Sequence, residues 1–130
     1  MASGPGVSKA IEALDMWLAS GGVIRLWTVA PDFDGTGGTE SEPTGGAPTA
    51  TFQPAVAGTS GQIAKATTTG AVMFVEVPDA STAIVALSVH DPSDDSIIAI
   101  NRAWVAPAPG WAAGESPVLD FVSVPFVPVS

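Results

Sequence analysis

The sequence contains no cysteine, a single histidine and only four cationic side chains, Lys9, Arg25, Lys65 and Arg102. Each shortage closes off a class of chemistry. Without cysteine there is no disulfide framework and no thiolate nucleophile, and His90 alone offers none of the usual structural zinc spacings. Thirteen acids against four cations give a net charge of −9, the wrong sign for a phosphate backbone, so no nucleic acid is expected among the partners. No apolar stretch reaches the ~18 residues of a membrane span, and the N-terminus lacks a basic segment followed by an apolar run. The chain therefore reads as soluble and unexported, with no membrane partner and no cofactor.

Charge of either sign is also scarce, at 13% of residues where globular chains average ~25%. What fills its place is apolar and conformationally special: 46% hydrophobic residues, 14 glycines and 12 prolines. A free monomer ordinarily spreads many charges over its surface, so this balance suggests a subunit whose surface meets other protein. A length of 130 residues suits one domain with its own core.

The stretch from Thr82 to Arg102 organises the rest, and it reads as a β-hairpin. Thr82–Val89 is rich in Ile, Val and Leu, Ser96–Asn101 repeats that apolar character, and Asp91-Pro92-Ser93-Asp94 between them has turn chemistry: an Asp to accept backbone N–H groups and a Pro to preset φ. Along the first arm Ala83, Val85, Leu87 and Val89 alternate with Ile84, Ala86, Ser88 and His90, so the arm is apolar on both faces and needs cover on both.

Ahead of the hairpin, residues 1–7 read as a loose arm. A helix is expected over residues 8–20, capped by Ser8, with Ala10, Ile11, Leu14, Trp17 and Leu18 at helical spacing and Gly21-Gly22 to end it. Val23–Val29 is a strand by its β-branched and aromatic content. Residues 31–48 form a long Gly-rich acidic loop that cannot bury enough apolar area to order itself, and a neighbouring subunit would order it. Thr49–Gln53, Gln62–Thr67, Ala71–Val77 and Val118–Val124 are further strands, and residues 125–130 an extended, proline-bearing tail suited to a sheet edge. The total is six to eight short strands and one N-terminal helix without βαβ alternation, hence a mainly β chain folded as an antiparallel sandwich or barrel.

The order of helix, Gly-Gly, Leu26-Trp27-Thr28, Pro31-Asp32 and the Gly-rich acidic run Gly35–Glu40 resembles the openings of a family of small tailed-bacteriophage virion proteins. Ala86–Asp91 followed by Ile97–Ile100, and Gly114-Glu115 followed by Val118–Phe121, are similar to that family's later strands. The resemblance implies a β-rich structural protein located in the virion: a capsid decoration or minor capsid subunit first, a tail-tip or fibre-base component second. It implies the major capsid protein or other virion proteins as partners, a homo-oligomer, and no catalytic residues. A carbohydrate-binding module is the alternative from another class.

Individual residues fit that non-enzymatic reading. Ser88, His90 and Asp91 supply the residue types of a nucleophile system but sit on one strand and its turn, whereas a triad converges from separate segments. Asp91, Asp94 and Asp95 lack the spacing of a calcium loop, so no metal site is assigned. Trp17 and Trp27 are expected in the core. Trp104 and Trp111, in a Pro/Gly connection, stand between core and interface, and with Phe33 and Phe126 they form the candidate interface set.

Overall fold

The computed structural model describes residues 6–59 and 61–127. It is mainly β, with ten strands in antiparallel sheets and one α-helix among the described residues. The sheets are arranged like a sandwich and do not close into a barrel. The strand count exceeds the expected six to eight because five of the ten are only two residues long.

Helix α1 spans Val7–Trp17. Its apolar row behaves as the spacing predicts: Ala10 and Leu14 are fully buried and Leu18 nearly so. Two details differ. The N-cap is Gly6 and no side chain caps the helix, so Ser8 lies within the first turn. Trp17, expected in the core, is 40% exposed and stacks flat on Phe126, with ring centroids 5.6 Å apart. The helix then ends through Gly21, whose N–H donates to the Leu18 carbonyl at 2.9 Å and whose φ is +80°. A Cβ at Gly21 would lie 2.5 Å from the Ala50 carbonyl oxygen. Gly21→Ala is therefore expected to lower stability by about 1–3 kcal/mol, read from the denaturant midpoint.

The larger sheet is built on β1 (Gly22–Val29) and β7 (Ala86–His90), paired from Val23↔His90 to Trp27↔Ala86. β8 (Ile97–Asn101) pairs with the far side of β7, while β2 (Thr39–Glu40) and β3 (Thr49–Ala50) share the far side of β1. The central hairpin is thus real, but only β7 is central: all five of its residues are buried, whereas β8 is half-exposed and lies at the sheet's end. β7 also starts later than Thr82, because Ser81–Ala83 forms a 3-10 turn.

The second sheet runs β10 (Ser123–Phe126), β5 (Ala64–Thr67), β4 (Val56–Ala57). A separate ribbon joins β6 (Val72–Met73) to β9 (Val118–Leu119). The expected strand Ala71–Val77 is shorter in the structure, ending at Met73, and further on Glu76 adopts a φ of +48°. Phe74 and Val77 nonetheless reach the core and are essentially fully buried. That core joins Leu14 and Leu18 of the helix, Ile24, Leu26, Leu87 and Val89 of the larger sheet, and Ala64, Ala66 and Val124 of the smaller.

The acidic loop over residues 31–48 is tied down by its own chain, contrary to the expectation that a neighbour would order it. Ser41 N–H donates to the Leu26 carbonyl and Thr44 N–H to the Val75 carbonyl, both at 2.8 Å. Ser41 itself is fully buried, its hydroxyl donating to Asp79 Oδ2 at 2.8 Å. The loop also covers the outer face of the larger sheet, where Gly38 passes so close to Trp27 that a Cβ would lie 2.8 Å from the indole ring. The arm expected over residues 1–7 is shorter at its end, since α1 already begins at Val7; its residues 1–5, and residues 128–130 of the tail, lie outside the described residues.

Candidate functional site

Alternation along β1 and β7 places Arg25, Trp27, Ser88 and His90 on one face, because Arg25 pairs directly with Ser88 and Trp27 with Ala86. There they form a hydrogen-bonded relay. The Trp27 indole N–H donates to Ser88 Oγ at 2.7 Å, and Ser88 Oγ lies 2.6 Å from His90 Nε2. His90 Nδ1 is 2.9 Å from the Asp95 carbonyl oxygen. One assignment satisfies every member: the Ser88 hydroxyl donates to Nε2, and Nδ1–H donates to the Asp95 carbonyl.

The Asp95 carboxylate comes within 3.4 Å of His90 Nδ1 and 3.1 Å of Arg25 Nη2. Arg25 also donates through Nη1 to both Glu40 oxygens, at 2.9 and 3.0 Å. Burial works against the Arg25 charge, and the two carboxylates outweigh it, holding the guanidinium pKa above its ordinary value. Burial pushes the Glu40 carboxyl above the usual carboxylate range despite Arg25.

Ser88, His90 and an aspartate therefore do meet, with Asp95 rather than Asp91 as the acid. The arrangement is sealed. Ser88 has no exposed surface and His90 only 3%, and the Ser88 hydroxyl is held between Trp27 and His90. Nucleophilic attack requires an accessible oxygen beside the reacting carbonyl, which the buried Ser88 does not present; the relay's bonds join β1, β7 and the hairpin turn.

The turn acids have local partners as well. Asp91 Oδ1 accepts from the Ser93 amide and hydroxyl, and Asp94 Oδ1 from the Ser96 amide and hydroxyl. Asp34 does the same with Thr36. Among the described residues no three His, Asp or Glu side chains come together in a way that could hold a metal ion.

These bonds set a pH dependence whose sign can be worked out. Hydrogen bonds from Thr36 hold Asp34, and those from Ser96 hold Asp94, below the usual carboxylate range. A carboxyl with a depressed folded pKa contributes stability above its unfolded pKa and loses it as pH falls through the folded value. Glu40, with its raised pKa, acts in the opposite sense: its contribution grows as pH falls through the carboxylate range. On acidification, amide exchange at Thr36 and Ser96, referenced to the intrinsic rate, should accelerate before exchange in β7 does.

A larger concave feature lies elsewhere, between the ends of the two sheets. β8 terminates one sheet and β10 the other, and neither has a second strand partner among the described residues. Between them runs a trough of about 710 Å³ with Leu87, Val89, Ile98 and Ala99 on one side and Pro125 and Val127 on the other. Arg102 closes one end. Its Nη2 donates to the Pro31 carbonyl at 2.8 Å, and its guanidinium lies 4.5 Å above the Phe33 ring.

Of the four interface candidates, Phe33 is 75% exposed and sits beneath Arg102 at the trough end. Phe126, on β10, is half-buried against the core and the Trp17 ring. Trp104 and Trp111 lie together, centroids 6.4 Å apart, half-buried against the core. Trp111 is further fixed by its indole N–H donating to the Asp79 carbonyl at 3.0 Å. The structure thus divides the set into a tryptophan pair fastened to the core, Phe126 packed between the core and Trp17, and an exposed Phe33 under Arg102, a residue of the trough lining. The trough walls themselves were not singled out in the sequence, since residues 87–103 and 123–127 meet only after folding.

Comparison with protein-family models, with curated proteins and with solved structures finds no match to this chain.

Proposed function

We propose that this chain is a non-enzymatic structural subunit that works by binding other protein. The observation that carries the proposal is the apolar trough between β8 and β10. Two neighbouring sheet ends have no second strand partner among the described residues, and β8, Ile97-Ile98-Ala99-Ile100-Asn101, carries no proline and no charge. Edge strands of independent monomers are normally guarded by such residues. The low charge content and the sealed Ser88–His90 relay support the same reading.

The finer proposal is a virion protein of a tailed bacteriophage, a capsid decoration or minor capsid subunit binding the assembled shell. Its support is the resemblance in the motifs at Leu26–Thr28, Gly35–Glu40 and Ala86–Asp91, together with an assembly-type surface. Quantitative mass spectrometry of purified particles, separated into heads and tails, tests it. High copy number in the head fraction is the expected result. Low copy number in the tail fraction would transfer the role to a tail-tip or fibre-base component, and absence from both would overturn the virion reading.

A further inference from the structure

We propose that the trough receives an extended segment of a partner polypeptide that adds as a strand to β8 and presents a carboxylate to Arg102. The proposal rests on the reading of this chain as an assembly subunit and names the kind of partner that the surface fits.

Three observations lead to it. First, the two walls are unequal. Val122 and Phe126 direct their carbonyls to β5, accepting from Thr68 and Ile63, so alternation turns Ser123, Pro125 and Val127 toward the trough side. Pro125 has no N–H to offer there, which blunts β10 as a pairing edge. β8 pairs with β7 through alternate residues, which leaves the N–H and C=O groups of the others on its open edge with no proline among them, and its five residues present an edge of about 17 Å at ~3.3 Å per residue.

Second, the charges are segregated. The chain has 13 acids, yet no acidic side chain lines the trough. Of the four cations, Lys9 pairs with Glu12, and Arg25 with Glu40 and Asp95; Lys65 has no ion pair among the described residues and does not line the trough. Arg102, at the trough end, has no carboxylate partner among the described residues.

Third, Arg102 is already oriented. One of its five N–H donors is spent on the Pro31 carbonyl and its plane rests over Phe33, so the fork is held in place with donors to spare. A planar, fixed guanidinium favours a carboxylate, which it can grip through two bonds. An apolar floor, an open backbone edge and one anchored cation together describe an extended apolar strand bearing an acid. A second copy of this chain is disfavoured, since each copy carries a net charge of −9 and the two repel.

The test uses the full chain, isotope-labelled for amide NMR, and three capped six-residue peptides of alternating valine and threonine whose last residue is aspartate, asparagine or lysine. The aspartate peptide should shift the amide signals of Ile97–Asn101 and slow their hydrogen exchange. It should bind about 10-fold more tightly than the lysine peptide, with a preference that weakens as salt is raised. Arg102→Glu should reverse the order of the two charged peptides while leaving the amide signals of β1 and β7 in place; if that variant does not fold, the salt dependence in the wild-type chain decides. Binding without preference for aspartate, shifts mapping away from β8, or no binding would each overturn the proposal. So would concentration-dependent broadening of the β8 amides without peptide, which would make a second copy the occupant. A chain found at high copy number in particles that nevertheless ignores all three peptides would leave the subunit reading standing and this proposal refuted.

Discussion

Ser88→Ala is expected to lower the stability of this chain by about 2–5 kcal/mol, although it removes a single oxygen atom. The hydroxyl stands between two buried ring nitrogens, accepting from Trp27 at 2.7 Å and lying 2.6 Å from His90 Nε2. Its loss leaves both without a partner, in a place where Ser88 has no exposed surface and His90 only 3%. Each buried polar group so orphaned costs ~1–3 kcal/mol, and the hydrophobic gain from alanine is small by comparison. A double-mutant cycle separates this from simple loss of packing. Trp27→Phe removes the indole donor, so Ser88→Ala should cost ~1–2 kcal/mol less on that background than on the wild type. Equal costs on both backgrounds would show that the relay has no energetic coupling. The measurement is denaturant unfolding of all four chains.

Phe74→Ala is expected to cost about 3–5 kcal/mol, enough to leave a domain of ordinary stability largely unfolded. Phe74 is 1% exposed and belongs to the cluster that joins the helix to both main sheets. Its backbone is anchored at the same time, the amide donating to the Pro117 carbonyl at 3.0 Å. The site therefore cannot collapse easily around the space left by the ring, which places the cost toward the upper part of the range. Phe74→Leu should recover most of the loss. By contrast Phe33→Ala, at a ring 75% exposed, should change stability by less than ~0.5 kcal/mol. If the exposed and buried phenylalanines proved equally costly, the assignment of the core would be wrong.

The sequence made the class of fold legible because its strongest signals are local. The helix was visible in the row Ala10, Leu14, Leu18, and the hairpin in two apolar arms around Asp91-Pro92-Ser93-Asp94. Its turn chemistry is what forms, with Asp91 accepting from the Ser93 amide at 2.8 Å. Other features depend on contacts that no local pattern carries. Trp17 belongs to the helix's apolar stripe, yet its ring is 40% exposed and stacks on Phe126 at the margin of the core. The loop over residues 31–48 reads as too polar to order, but hydrogen bonds from Ser41 and Thr44 to β1 and Val75 fasten it.

The candidate site was only half legible for the same reason. Phe33 and Phe126 could be picked out as aromatics in exposed settings. Arg102 could not, because its importance comes from resting over Phe33 and reaching Pro31, 71 positions earlier. Asp95 was visible only as one acid among three in the turn. A φ of +61° turns its carbonyl toward His90 and its carboxylate toward Arg25, and residue type gives no hint of that.

The absence of native cysteine allows the central claim, that the β8 edge is where this subunit meets other protein, to be tested with one reporter. Ala99→Cys places a unique thiol on the wall of the trough. Its labelling by a small thiol reagent should be rapid in the free chain and strongly suppressed in the proposed assembly with other protein. Equal labelling rates in the free and assembled states would contradict the account.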